Sequence, residues 1–270
     1  METDIITVPV KQILEVLKNQ IEEYIALFSI PLIPLKENQE NINQDSLGSG
    51  TLVAIRGQKG IITAAHIWRD KISAACFLGL GSRTNTTGFY PHRHLVNVKF
   101  LGVKMSPPAY NKEQGPDIAF IHLQNEDITI IEANGKVFYN LDIRKTISLP
   151  SKSFETGIFI VTGYPDFLAG DNRQEINQLF YLTLQLEKKK GDLYDIYDVS
   201  VDALYDSIGG MSGGGLWHIT IKEKDGIIQL LDNRNDIKLI GVNYYEFYNE
   251  KNKVYKIRCQ DVWSAYSFVN

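Results

Sequence analysis

The stretch Gly209-Gly210-Met211-Ser212-Gly213-Gly214-Gly215-Leu216-Trp217 puts a serine in a glycine-rich turn that runs on into residues suited to a strand. Glycine reaches backbone conformations with φ > 0 that other residues avoid, so such a turn can gather N–H groups around the serine. Upstream, Gly60-Ile61-Ile62-Thr63-Ala64-Ala65-His66 is an apolar strand that delivers a histidine just past its end. Gly115-Pro116-Asp117-Ile118-Ala119-Phe120-Ile121 sets an acid at the start of another strand. Runs rich in Val, Ile, Phe, Tyr and Thr recur at 49–56, 60–64, 72–78, 95–104, 117–123, 157–163, 179–187, 194–201, 214–221, 226–231, 237–245 and 253–258, with turn residues between them. This spacing predicts an all-β chain rather than alternating strands and helices.

Two ends frame the strands. Val10, Leu14, Leu17, Ile21, Ile25 and Phe28 recur at spacings of three or four and predict an amphipathic helix over 9–28, with Pro9 at its start and Pro31 after its end. That helix either packs on the domain or docks a regulatory partner or a second subunit. Residues 260–268 (QDVWSAYSF) suit a short closing helix. The polar stretch 149–156 (LPSKSFET) divides the strands into two halves.

The chain has 270 residues, 44% of them hydrophobic and 22% charged, with a net charge of −4. It carries no basic arm or stripe, which speaks against nucleic acid; Lys188-Lys189-Lys190 reads as a solvated hairpin tip. The N-terminus METDIITVPV lacks a basic cluster, and Glu15, Lys18, Glu22 and Glu23 break the apolar stretch after it, so neither a secretory signal nor a membrane helix is expected. Only two cysteines occur, Cys76 and Cys259. Far apart, they read as buried thiols of a reducing compartment and point to the cytoplasm. Frequent Asn, Ile, Lys and Tyr suggest an AT-rich, bacterial genome.

The chemistry of acyl transfer calls for these parts. A serine hydroxyl needs a base within hydrogen-bond reach, histidine titrates near working pH, and a carboxylate fixes the imidazole tautomer. The N–H groups of Gly210 and Ser212 are the candidate oxyanion donors, one such donor being worth roughly 3–4 kcal/mol in the transition state. Asp127 and Asp142 are the substitutes for Asp117. His92, His94, His122 and His218 form no metal-ligand set, and neither metal nor cofactor is expected. Gly210-Met211-Ser212-Gly213-Gly214 also fits the G-x-S-x-G turn of α/β hydrolases. That turn leads into a helix and needs Asp and then His downstream, whereas here a strand follows and only His218 lies beyond.

TAAH, D-I-A-F-I and G-M-S-G-G-G, in the order His, Asp, Ser, resemble the signature regions of the trypsin-like (chymotrypsin-fold) serine peptidases. The separations of 51 and 95 residues are compatible with that fold. Gly48-Ser49-Gly50-Thr51-Leu52-Val53 is similar to the strand entering the first barrel of bacterial members, Val161-Thr162-Gly163-Tyr164-Pro165 to a strand end early in the second, and Ile240-Gly241-Val242-Asn243 to the strand that binds substrate. The resemblance covers about residues 46–268. It implies two six-stranded antiparallel barrels: an N-terminal helix and loop over 1–45, a first barrel over 46–150 with His66 and Asp117, and a second over 151–270 with Ser212. It implies a serine endopeptidase whose triad is His66, Asp117 and Ser212, acting on polypeptides.

Two departures stand out. Vertebrate-type members place an aspartate before the serine, paired with a newly cut N-terminus; Met211 occupies that position, so this switch is not expected. The disulfides of secreted members are missing. The family's pocket base corresponds to Asp206, which either selects Lys or Arg in the substrate or faces solvent as a loop residue. Asn243, Tyr244 and Tyr245 are expected to meet an extended peptide, with the tyrosines narrowing the pocket. A second reading keeps the fold as a catalytically weak binding or scaffold module. By analogy with effectors of bacterial defence operons, control by another protein fits either.

Overall fold

Ile61 and Ile62 are neighbours in sequence but belong to different cores. Successive side chains of a strand point to opposite faces. Leu52 and Val53 divide in the same way, and so do Ile160 and Val161, each strand lining its own barrel with one face and the seam between the halves with the other. Burial of both faces explains why these strands read as continuous apolar runs instead of alternating ones.

The structure, a computed structural model, describes residues 20–34, 47–72, 75–80, 94–108, 113, 115–145, 158–168, 178–183, 186–190, 194–201, 209–220, 222–224, 227–229, 237–249 and 254–269. The first half is built from β1 (Ser29–Pro34), β2 (Gly48–Ile55), β3 (Gln58–Thr63), β4 (Ala75–Leu80), β5 (His94–Met105) and β6 (Ala119–Leu123). They pair in the order β1-β4-β5-β6-β3-β2, and β1 also pairs with β2, which closes the ring. The short β7 (Tyr139–Asn140) adds to β2 in parallel.

The second half holds β8 (Ile158–Gly163), β9 (Leu179–Thr183), β10 (Leu186–Lys190), β11 (Asp195–Val201), β12 (Gly215–Ile219), β15 (Ile237–Asn249) and β16 (Val254–Asp261), with β13 (Lys222–Lys224) and β14 (Ile227–Gln229) as a separate hairpin. The sheet order is β10-β11-β16-β15-β12-β8-β9. Thr183 and Leu186 end and begin the two strands at opposite edges of that order, and three residues of chain span at most about 11 Å. The sheet must therefore curl until its edges approach.

Helix α1 (20–26) packs Ile21 and Ile25 into the seam, and Phe28 follows it there. Phe28 lies 5.1 Å from Tyr24, 5.4 Å from Tyr139 and 5.6 Å from Trp217, ring centre to ring centre. Such aromatic pairs add about 0.5–1.5 kcal/mol each beyond burial. A 3₁₀ turn (Val262–Ser267) closes the described chain, N-capped by Asp261. Among the described residues no helix is long and apolar enough to cross a membrane.

Four details depart from expectation. Ser29–Pro34, placed in the N-terminal helix and loop, is a barrel strand, so the first barrel begins before residue 46. The second sheet has seven strands rather than six. Lys188, Lys189 and Lys190 lie in β10 instead of at a hairpin tip; Lys188 pairs with Asp195 at 2.6 Å and Lys189 with Asp198 at 2.5 Å. Helices α2 (Ala65–Ile67), α3 (Asn125–Ala133) and α4 (Leu141–Lys145) interrupt the first half, α3 carrying Ile128 and Ile131 onto the barrel. Val10, Leu14, Leu17, His92 and the stretch 149–156 lie outside the described residues.

Candidate active site

Strand β3 ends at Thr63, and Ala64 and Ala65 are fully buried beneath the turn that lifts His66 into solvent reach. Larger side chains would not fit at those positions without displacing the barrel wall. Asp117 stands just before β6. Its Oδ2 lies 2.5 Å from His66 Nδ1, and its Oδ1 accepts the His66 backbone N–H at 2.8 Å. Arg69 adds a guanidinium contact to Oδ1 at 3.4 Å. The Asp117 N–H donates to Gln260 Oε1 at 2.8 Å. Asp142, a substitute on paper, accepts instead from the N–H groups of Arg56 and Gly57 and from the Tyr266 hydroxyl. Asp127 lies in α3, where burial raises its pKa ahead of a Lys99 backbone hydrogen bond that lowers it and the Glu126 charge that raises it.

Ser212 sits on the turn before β12 and lines, with His66 and Asp117, a cavity of about 590 Å³. Ser49 N–H donates to the Ser212 carbonyl at 2.9 Å. Gly213 has φ +91°, and a Cβ there would lie 2.0 Å from the Ser49 carbonyl oxygen and 2.1 Å from Thr63 Oγ1. Gly210 has φ +92°, and a Cβ would approach the Tyr164 carbonyl to 2.5 Å. Both positions demand glycine by conformation and by space.

The peptide planes define where the turn's donors point. The Gly209 carbonyl accepts from the Asp166 N–H at 2.8 Å, and the Met211 carbonyl accepts from the Gly214 N–H at 3.0 Å. A trans peptide directs N–H opposite to C=O. The Gly210 N–H therefore points away from Asp166 and the Ser212 N–H away from Gly214, and neither has a partner among the described residues. Met211, at the position of the absent aspartate, is 3% exposed and packs among Phe159, Val161 and Leu216.

Asn243, Tyr244 and Tyr245 all reach the cavity, but they do different things. Asn243 holds the serine turn: its N–H donates to the Gly214 carbonyl at 2.8 Å, its carbonyl accepts from the Gly213 N–H at 2.7 Å, and its side-chain amide donates to the Thr162 carbonyl at 2.9 Å. Its backbone is thus engaged within the protein. At Tyr244 the pairing of β15 with β16 slips by a residue, a bulge that turns the strand. The Tyr244 hydroxyl donates to the Glu113 carbonyl at 3.0 Å and the Tyr245 hydroxyl to Glu113 Oε1 at 3.4 Å. Burial pushes the Tyr244 phenol well up, against the lowering pull of Arg258. Asp206 lies outside the described residues. Ile257 of β16 and Arg69 line the cavity and were not expected there, nor were the contacts of Ser49 with Ser212 and of Gln260 with Asp117. His218 is buried against Phe159, His122 stacks on Phe120, and no metal-ligand cluster occurs among the described residues.

No family model and no curated protein matches this sequence. Among solved structures, the Drosophila Grass clip serine protease of the Toll pathway superposes with a TM-score of 0.52 at 14% identity, over 89% of this chain and 67% of that one. The fold is that of the trypsin-like serine peptidases. Within that fold His66 and Asp117 come from the closed barrel and Ser212 from the curled sheet, and the cavity they share lies where the two halves meet.

Proposed function

We propose that the chain is a serine endopeptidase that hydrolyses polypeptides through an acyl-enzyme. The observation that carries this reading is the paired hydrogen bond from His66 to Asp117 at a cavity that Ser212 also lines. An ionised carboxylate only accepts hydrogen bonds, so the proton between the two belongs to His66 Nδ1. Nε2 then carries the free lone pair and takes the Ser212 proton as Oγ attacks the substrate carbonyl. The Gly210 and Ser212 N–H groups hold the resulting oxyanion. His66 gives its proton to the leaving amine, and water completes the cycle by the reverse route. The test is labelling with a fluorophosphonate probe, which reacts only with an activated serine. Labelling at Ser212 that disappears in Ser212→Ala supports the proposal; residual peptidase activity in that variant sinks it.

The reading extends to cleavage after Lys or Arg through Asp206, checked by a peptide library against Asp206→Ala. Cys76 and Cys259 are both buried free thiols, which supports action in a reducing compartment, the cytoplasm. Control by a partner that docks on the N-terminal helix belongs to the same proposal, and labelling only in that partner's presence is its signature. The tether of Tyr244 and Tyr245 to Glu113 beside the cavity favours a second reading, a binding module of weak activity. Peptide binding without labelling would select it.

A further inference from the structure

We propose that Gln260 is a positioning residue for the His66–Asp117 pair; this rests on the peptidase reading above. Gln260 belongs to β16, is 1% exposed, and is held in mid-sheet between Ile196 of β11 and Val242 of β15. Its amide is polarised in one sense. Oε1 accepts the Asp117 N–H at 2.8 Å, Nε2 donates to Ser264 Oγ at 2.8 Å, and Ser264 Oγ donates onward to the Asp261 carbonyl at 2.6 Å. The Ser264 proton is spent on Asp261, so its oxygen must accept, and the Gln260 amide can face only one way.

The backbone around Asp117 makes this link matter. Pro116 has no N–H, and the pairing of the following strand with the barrel wall starts at Ile118, whose N–H donates to Ser106 Oγ and whose carbonyl accepts from the Ser106 N–H. The Asp117 N–H instead crosses between the two halves to reach Gln260. One residue earlier in β16, the Cys259 thiol donates to Asn243 Oδ1 at 3.1 Å, and Asn243 holds the serine turn through Gly213 and Gly214. Adjacent residues of a single strand therefore touch the acid of one half and the support of the nucleophile in the other. Strand β16 gauges the distance between the two contributions, and Gln260 is the contact that sets the acid.

The test compares wild type, Gln260→Met, Ser264→Ala and Gln260→Met in an Asp117→Ala background. Gln260→Met keeps length and apolar volume while removing the acceptor. Misplacing a catalytic group by about 1 Å can cost around 10²-fold in rate, and a loosened rather than lost acid is expected to lower kcat by roughly 10-fold with KM changed less than about twofold. Ser264→Ala, which frees only the far end of the amide, is expected to fall between. In the Asp117→Ala background Gln260→Met should change stability but not the fluorophosphonate labelling rate, because no carboxylate remains to be placed. An equal loss of rate with and without Asp117 would overturn the proposal, as would an unchanged kcat. The proton between His66 and Asp117 supplies a readout that needs no activity: its downfield resonance in protein with ¹⁵N-labelled histidine should move or broaden in Gln260→Met and in Ser264→Ala, and an unmoved signal would overturn the proposal even where Gln260→Met does not fold and Ser264→Ala alone is read. A wild-type chain that never labels defeats the peptidase reading, while a labelling wild type matched by its Gln260 variant defeats this inference alone.

Discussion

Ser49 and Gly210 meet across the seam between the two halves, where the buried Ser49 hydroxyl donates to the Gly210 carbonyl at 2.7 Å and accepts the Tyr164 N–H at 2.8 Å. One side chain of the first barrel thus supports the turn that aims the Gly210 N–H. The Ser49 backbone serves the same region, its N–H bound to the Ser212 carbonyl and its own carbonyl to Thr63 Oγ1.

Ser49→Ala leaves a buried carbonyl and a buried N–H without their partner, at a cost of about 2–3 kcal/mol. The urea midpoint should fall with an unchanged slope, and fluorophosphonate labelling should slow more than the loss of stability explains. A midpoint equal to that of wild type would show that the hydroxyl carries no load.

Gly213→Ala forces a Cβ into the Ser49 carbonyl and Thr63 Oγ1 at a φ that side chains avoid. Loss exceeding about 4 kcal/mol, or no folded protein, is expected. Gly102→Ala in β5 is the matched control, because a Cβ there meets nothing within 4 Å. Its stability should stay within about 0.5 kcal/mol of wild type. Circular dichroism during thermal melting separates the two.

Asp261 gives the pH dependence a sign. Burial lifts its carboxyl to about 6; the Trp263 N–H it caps works against this, the Asp195 charge adds to it, and Lys188 opposes it. The unfolded value is near 3.9. Between the two, the folded state binds a proton that the unfolded state has released, so stability falls as pH rises from about 4 to 6 and stays lower above that window. The loss is on the order of 2–3 kcal/mol at about 1.4 kcal/mol per unit. Asp261→Asn can still accept the Trp263 N–H and should flatten this fall, leaving the variant more stable than wild type at pH 7.5. Denaturation curves at pH 4.5 and 7.5 that shift in parallel for both proteins would contradict the assignment.

Cys76 and Cys259 should both resist alkylation. Each is fully buried, and burial drives both thiols far above their ordinary range. Iodoacetamide at pH 8 is expected to leave the folded protein unmodified and to label both sites in denaturant, as read by intact mass.

What was legible in the sequence followed chain locality. His66, Asp117 and Ser212 each sit in a string a few residues long whose strand-and-turn character is local, and the strands carrying them fell close to their expected limits. The missing parts are contacts between distant residues. Gln260 lies 143 residues from Asp117, and nothing in CQDV marks its amide as a ligand for a backbone N–H. Ser49 was noted within Gly48-Ser49-Gly50, yet its hydroxyl acts on residues of the other half. Strand β1 was hidden by Pro31, which reads as a helix stop, although the ring uses that position in its pairing. Helix α3 was obscured because Ile128 and Ile131 are too few to raise a clear helical stripe among strand-like neighbours.

The closure of the first barrel rests on the six residues Ser29–Pro34. Without them β4 loses its partner on that side and β2 keeps only the two-residue pairing with β7, and unpaired strand edges recruit other chains. A fragment that starts at residue 46, where the recognisable motifs begin, would retain the histidine, acid and serine and yet be a template for aggregation. The segment that completes the ring thus lies upstream of the strings that carry His66, Asp117 and Ser212.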